Sequence, residues 1–294
     1  MTDPNSTNLD FSLRLGRLAR GLEANGYYNI AKLCWALAYA DTIKVNSKIG
    51  VPTTSVELEH ELEFVINTLV ATGAPPEILT ALQAGRHGVQ ENRPILWTEI
   101  PEVFVCRHCG EIILGQAVPF CPVCGAHELT LREFTPVYFL EPLEPYHALT
   151  ALETAPDELE EYIQALSEAQ LTQPIQANDW SIRDLLAHLL VAQGLLAGRV
   201  DKILAEENPL LTGVAAWNID DETALSAGEI FERFRASRQL TVNRLSRLST
   251  VDWLRTAWHD EFGQVTLLQQ ASYFARHERS HWPQLEAIRQ TFLA

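Results

Sequence analysis

The sequence predicts a mainly α protein: N-terminal helices, then a small β metal-knuckle domain, then a C-terminal four-helix bundle. Three observations carry this expectation. Residues 9–90 show apolar stripes at helical spacing, residues 148–294 hold four long helical patterns, and two Cys-x-x-Cys-Gly pairs sit between them among short β-type runs. The expected domains are 1–95, 96–141 and 148–294.

In the first domain Leu13, Leu15, Leu18 and Leu22 form a stripe that stops at Asn25-Gly26, a helix-ending pair. A second apolar helix is expected from Tyr28 to Val45. Val51-Pro52-Thr53-Thr54 breaks the pattern, and a third helix follows over 55–71, with Leu58, Leu62, Val65, Ile66 and Leu69 on its apolar side. Gly73-Ala74-Pro75-Pro76 ends it, and a short helix is expected over Glu77–Ala84. In the second domain Val103–Val105, Glu111–Leu114 and Val137–Leu140 read as strands, and Pro142–Pro145 as a linker. The bundle helices are expected near 156–169, 181–206, 226–249 and 266–292. Pro156 leads the first, the pairs Ser181/Asp184 and Ser226/Glu229 are capping boxes for the next two, and Thr266 opens the last after the Gly263 turn.

Charge narrows the function classes. The chain carries 38 acidic and 22 basic residues, a formal net charge of −16, which a nucleic-acid duplex repels unless a basic face is concentrated. The densest basic stretch, Arg233, Arg235, Arg238, Arg244 and Arg247, spreads around a helix and reads as a solvated face. No apolar run reaches the length of a membrane span and no secretory signal is visible, so nucleic acid and membrane are not expected as partners and the expected compartment is the cytoplasm.

Five cysteines is an odd count that argues against a disulfide framework. Cys34 lies in an apolar helical stretch and reads as a free core thiol. The other four are Cys106 with Cys109 and Cys121 with Cys124, eleven residues between the pairs, each pair followed by glycine. Two residues between thiolates allow a tight knuckle, and the glycine takes the positive-φ turn. Four sulfurs on two knuckles make a tetrahedral site that accepts iron, as a one-electron carrier, or zinc, as a structural ion.

A second constellation lies in the last helix, where His277 and His281 stand four residues apart on the apolar face formed by Leu267, Ala271, Phe274, Leu285, Ile288 and Phe292. Buried imidazoles need partners, and one divalent ion satisfies both. His188, two turns into the helix opened by Ser181, supplies a third ligand. Three neutral imidazoles with an open position make a site for zinc, nickel or iron of catalytic type. His259, in the turn before the last helix, could line a pocket mouth but reads rather as a plain loop residue; His108 and His127 flank the cysteine site and read as exposed, and His60, His87 and His147 carry no pattern. Trp180, Trp217, Trp253, Trp258 and Trp282 read as core or bundle-end packing.

Two resemblances attach to these residues. Ile95-Leu96-Trp97 through Phe104-Val105-Cys106-Arg107-His108-Cys109-Gly110 to Cys121-Pro122-Val123-Cys124-Gly125 resembles the rubredoxin-like tail of rubrerythrins. Gly26-Tyr27-Tyr28-Asn29-Ile30-Ala31-Lys32-Leu33 resembles a helix junction of their ferritin-like domain. Where that family carries a diiron Glu-x-x-His, this chain has Asp41-Thr42-Ile43-Lys44, and Asn8 falls near the place of an expected glutamate. Glu59, Glu61 and Glu63 lie on another helix, so a working diiron peroxidase site is not expected. Asp179-Trp180-Ser181-Ile182-Arg183-Asp184-Leu185-Leu186-Ala187-His188-Leu189 and Phe262-Gly263-Gln264-Val265-Thr266-Leu267-Leu268, with the His277 and His281 pair, resemble the DinB-like superfamily.

The second resemblance implies a four-helix bundle with metal ligands at His188, His277 and His281, and relatives that include transferases using low-molecular-weight thiols. The expected function is therefore a metal-binding DinB-like protein of thiol S-transferase type acting on a small-molecule thiol or electrophile. The alternative is a non-catalytic metal or redox adaptor with a rubrerythrin-like electron-transfer module. No catalytic acid or base is assigned: Glu278 points off the metal face, and Gln193 stands where relatives often have an acidic residue. Assembly as a homodimer is left open.

Overall fold

The computed structural model describes residues 4–46, 52, 54–176, 179–213 and 225–293. Trp217 lies outside the described residues. The chain divides into two compact units, Met1–Thr68 and Leu69–Ala294.

In the first unit α1 (Pro4–Ala24) and α2 (Tyr28–Asn46) form a helical hairpin. The turn between them uses Gly26 at φ 82°, a left-handed conformation that costs glycine little. Leu15, Ala19 and Cys34 are buried, flanked by Leu22 and Ala38. Leu15, Ala19 and Leu22 follow i, i+4, i+7 spacing, and that narrow line meets α2, whereas Leu13 and Leu18 fall beside it and are exposed. In α3 (Ser55–Ala71) Ile66 is buried, but Leu58 and Val65 of the expected stripe are exposed.

In the second unit α4 spans Pro76–Gln90, longer than the sequence suggested, with a proline in its first turn where the missing N–H has no cost. The strands β1 (Val103–Cys106), β2 (Ile112–Leu114) and β3 (Leu131–Phe134) make an antiparallel sheet in the order β2-β1-β3. The expected third strand at Val137–Leu140 is instead a loop and a 3-10 turn over Tyr138–Leu140. Arg132 and Glu133 hide the real strand from a hydrophobicity search, because β3 borders the sheet and only Leu131 of its residues is turned from solvent.

The helices α5 (Pro145–Ile163), α6 (Glu168–Leu171), α7 (Ile182–Ala205), α8 (Ala227–Leu245), α9 (Thr250–Trp253), α10 (Leu267–Ser280) and α11 (Trp282–Leu293) complete the unit. α7 packs on α8, α8 on α5, α5 on α10 and α10 on α7, closing a four-helix bundle. Ser181 with Asp184, Ser226 with Glu229 and Thr266 with Gln269 cap three of these helices as full capping boxes. A second small sheet joins β4 (Leu210–Leu211), β5 (Thr256–His259) and β6 (Gly263–Thr266) at one end of the bundle.

Two prolines depart from their sequence reading. Pro156 lies inside α5 rather than at its start, which belongs to Pro145. A mid-helix proline leaves the carbonyl four residues earlier without its donor, and here Arg238 Nη1 donates to that carbonyl, Leu152 O, at 3.1 Å. Arg238 is therefore not part of a solvated face. It is 1% exposed and paired with Glu278, which is 0% exposed. Pro283 ends what the sequence presented as one helix over 266–292. It cannot donate to the carbonyl of Arg279, so α10 stops at Ser280, His281 caps it, and α11 starts at Trp282.

Candidate metal centres

The knuckle around Cys106 and Cys109 follows β1, and Gly110 (φ 84°) and Gly125 (φ 72°) take the turns expected of them. Gly110 N–H donates to Cys106 O at 2.8 Å, and Gly125 N–H donates to Cys121 O at 2.9 Å. The four sulfurs lie within 4.8 Å of one another, with Cys106 Sγ 3.7 Å from Cys124 Sγ and Cys109 Sγ 3.6 Å from Cys121 Sγ. Sulfurs bound at about 2.3 Å to one tetrahedral ion stand roughly 3.8 Å apart, so the cluster has the size of a zinc or iron site. The Cys109 N–H, pointed at the sulfur, lowers the Cys106 thiol to about 6. The Glu111 N–H acts in the same direction on Cys109, but burial and the neighbouring sulfurs outweigh it and push that thiol up to about 12. A bound cation removes this conflict among the four groups.

The histidines meet inside the bundle. His188 of α7 is buried, and its Nε2 lies 3.2 Å from Nε2 of His277 on α10. His281, at the break between α10 and α11, completes a triangle with ring centroids 5.0–5.1 Å apart. Nitrogens about 2.0–2.1 Å from one tetrahedral ion lie roughly 3.3–3.4 Å apart, close to the observed spacing. His281 Nε2 is buried and, among the described residues, has no hydrogen-bond partner, and the same holds for His277 Nδ1, the ring atom opposite the Nε2 that meets His188. Buried polar atoms are rarely left so, and the donor set fits a divalent ion. Burial, followed by the neighbouring imidazoles, lowers His277 to about 4 and lowers His281 as well, so both lone pairs are free of protons at neutral pH.

Aromatic rings enclose the triad. Trp180 packs on His188 at 5.1 Å and stacks on His281 at 6.5 Å, while Tyr273 stacks on His277 at 5.9 Å. Trp180 thus does more than close the bundle end. Glu278 points away from the triad, as its place in sequence required. Gln193 is a core residue: its amide donates to Thr241 Oγ1 at 2.8 Å and it accepts from Arg238 Nε at 2.6 Å.

On the far side of His277 from this core lies a cavity of about 110 Å³ lined in part by Arg199, Gly213, His259, Glu261 and Tyr273. Of this group the sequence offered only His259, as a residue that could line a pocket mouth; Arg199, Glu261 and Tyr273 were not found from it. His259, read as a loop residue, ends β5 and is 1% exposed. Its Nδ1 receives the N–H groups of Glu261 and Phe262 at 3.2 and 3.3 Å. Burial, and then the Arg199 charge, lower His259 to about 4. Burial also raises Glu261 above the ordinary carboxylate value. A wider cleft of about 520 Å³ shares Glu261 and Phe262 and runs between the β2-β1-β3 sheet and the β5–β6 hairpin, with Trp97, Ile100, Val105 and Trp258 on its walls. A larger groove of about 730 Å³ lies between α1 and α2.

Comparison with known proteins falls on the same half of the chain. The DinB superfamily model matches residues 151–285. The C-terminal half is a DinB superfamily domain. An uncharacterised Bacillus subtilis protein, YuaE, is 29% identical over 145 residues, covering 44% of this chain and 88% of that protein. A Bacillus cereus protein provisionally named a metal-dependent hydrolase is 24% identical over 140 residues, 47% of this chain and 81% of its own. Among solved structures, Bacillus subtilis YfiT aligns with a TM-score of 0.47 at 17% identity, over 54% of this chain and 93% of that one. Its description assigns it provisionally as a metal-dependent hydrolase with an unusual four-helix bundle topology.

Proposed function

We propose that the DinB domain is a metal-dependent enzyme of thiol S-transferase type, with a divalent ion held by His188, His277 and His281. The observation that carries this reading is the meeting of three imidazoles at metal-ligand spacing, with the buried His281 Nε2 having no other partner among the described residues. When bound, zinc, nickel or iron at such a site lowers the pKa of a thiol or water, making a nucleophile at neutral pH. The chain's own residues prepare for this. Burial keeps the ligating imidazoles neutral, and Trp180 and Tyr273 pack against them and limit water. The apolar walls of the wider cleft suit the carbon skeleton of an electrophile. In the reaction, the thiol sulfur forms a bond to the electrophilic carbon, and the thiol proton leaves with the departing group. The names of the relatives favour a second reading, hydrolysis, in which water takes the place of the thiol.

We infer further that Cys106, Cys109, Cys121 and Cys124 hold zinc or iron in a rubredoxin-like segment. Elemental analysis with a visible spectrum tests both sites. The expected result is two ions per chain, of which one is lost in each of His188→Ala, His277→Ala and His281→Ala. Unchanged metal content in all three variants refutes the histidine centre. A red protein with iron at the cysteines supports the electron-transfer alternative, and a colourless one with zinc supports a structural ion. Conjugation of a thiol to 1-chloro-2,4-dinitrobenzene, set against ester hydrolysis, separates the two enzymatic readings.

A further inference from the structure

We propose that the cavity beside His277 binds the zwitterionic head of a small molecule that carries a carboxylate and an ammonium on one carbon, as an α-amino acid does.

Two opposite charges line this one cavity and do not meet. Arg199, half-buried on α7, donates to Gln270 Oε1 at 2.9 Å and to Thr212 O at 3.1 Å, and its Nη2 lies 3.1 Å from His259 Nε2. None of these groups is an anion at neutral pH, and among the described residues no carboxylate pairs with Arg199. Of the five guanidinium N–H donors, these contacts engage both on Nη2 and one on Nη1, so Nε–H and one Nη1 donor remain for single hydrogen bonds to a ligand. The Glu261 side chain lines the same space and, among the described residues, has no hydrogen-bond or ion-pair partner. Asp260, beside it, is already engaged: it accepts from Gly213 N–H at 2.8 Å and lies 3.3 Å from His259 Nδ1.

Arg199 is partly buried, where a charge with only neutral partners is costly, whereas Glu261 stands at the solvent-exposed rim of the same cavity. A plain anion would answer Arg199 but would face Glu261; a plain cation would do the reverse. A ligand with both charges answers both residues. The space is adequate: at about 30 Å³ per water-sized group, 110 Å³ admits roughly four such groups. Gly213 keeps it open, because a Cβ there would lie 3.1 Å from Asp260 Oδ1 and 3.7 Å from Glu261 Oε2.

This inference rests on the proposed function only for its consequence, that an amino-acid thiol held by its head here would extend its sulfur toward the imidazole cluster. The binding claim is testable without a thiol. L-alanine, acetate and ethylammonium are titrated calorimetrically into the full-length protein and into the His188→Ala variant, where chelation by an ion in the triad cannot contribute. L-alanine is expected to bind at least tenfold more tightly than either singly charged probe in both proteins. Glu261→Gln is expected to remove the preference for L-alanine over acetate, weakening L-alanine and strengthening acetate, and Arg199→Gln to abolish both. Arg199 also holds its neighbours and its variant can fail to fold, so Glu261→Gln, at the cavity mouth and without partners, decides the matter. Equal binding of L-alanine and acetate to the unmodified protein, no binding of any probe, or an undiminished L-alanine preference in Glu261→Gln overturns the proposal. Failure of the histidine centre would show instead in the metal content, with these titrations unaffected.

Discussion

The pair Arg238–Glu278 offers a quantitative test of how the bundle holds His277 in place. Both side chains are essentially inaccessible, at 1% and 0% exposure. Arg238 Nη1 donates to Glu278 Oε2 at 2.9 Å, and Nη2 makes a second contact to Oε1. The same guanidinium serves Gln193 and Leu152 O and lies over the Phe234 ring at 4.8 Å. Glu278→Gln removes the negative charge with little change of shape, leaving a buried cation that keeps only neutral acceptors. Breaking one side of a buried pair costs about 3–5 kcal/mol. For a unit of this size each kcal/mol moves the melting temperature by about 2–4 °C, so a fall of roughly 6–20 °C is expected by scanning calorimetry. Replacing both partners, Arg238→Met with Glu278→Met, should recover part of that loss, but not all, because the Leu152 carbonyl exposed by Pro156 then has no donor, at a cost of about 1–3 kcal/mol. A fall below about 2 °C for Glu278→Gln, or a double variant no better than the single one, would refute the reasoning.

Three further outcomes follow from the same structure. His259 is held at about 4 by burial and by Arg199, with Asp260 opposing, so the unfolded chain takes up a proton near pH 6.5 that the folded chain refuses. Its contribution to stability is full above pH 6.5 and is lost as pH falls through about 4, and melting curves of His259→Asn, which keeps an acceptor for the Glu261 and Phe262 N–H groups, should be flatter across that window. Cys106→Ser should remove about one ion per chain and loosen β1, which lines the cleft with Trp97 and Trp258, whose rings stand 5.1 Å apart; a red-shifted tryptophan emission is expected, and unchanged metal content would refute the four-sulfur site. Phe11, Leu13, Leu18, Tyr28 and Tyr39 are exposed on the N-terminal hairpin, and since a helical hairpin is half of a four-helix bundle, light scattering should give the mass of two chains; a monomer of 33.0 kDa at micromolar concentration would refute this.

What could be read in the sequence was local. The two capping boxes at Ser181 and Ser226 and the two glycine-terminated knuckles each depend on residues within a few positions of one another, and both features appear in the structure. The cavity could not be read that way. Arg199, His259, Glu261 and Tyr273 come from α7, the β5–β6 hairpin and α10, and none sits in a short motif. His259 looked like a loop residue because β5 is four residues long and pairs with the two-residue β4, Leu211 standing opposite His259 from 48 positions upstream. The one early hint was that His259, in Trp258-His259-Asp260-Glu261 before the last helix, could line a pocket mouth, as it does. Prolines misled for a related reason: Pro156 is compatible with a helix interior only because a buried arginine from α8 reaches the carbonyl it leaves free.

Pro283 shows how such a local break serves the site. An unbroken helix would place His277 and His281 on one face with a fixed offset of about 6 Å along the axis, so both rings would lie in a row beneath His188. Ending α10 at Ser280 turns the backbone at His281 instead, with His281 N–H donating to Glu278 O at 3.0 Å and Leu285 N–H donating to His281 O at 3.0 Å. The rings then close a near-equilateral triangle, with centroid distances of 5.1, 5.1 and 5.0 Å. Glu278, between the two histidines, is fixed to Arg238, and Arg238 in turn is fixed to the carbonyl released by Pro156. One proline shapes the ligand triangle and the other supplies an anchor for the turn that carries it, so the geometry of the proposed metal centre is set by two residues that touch no ligand nitrogen.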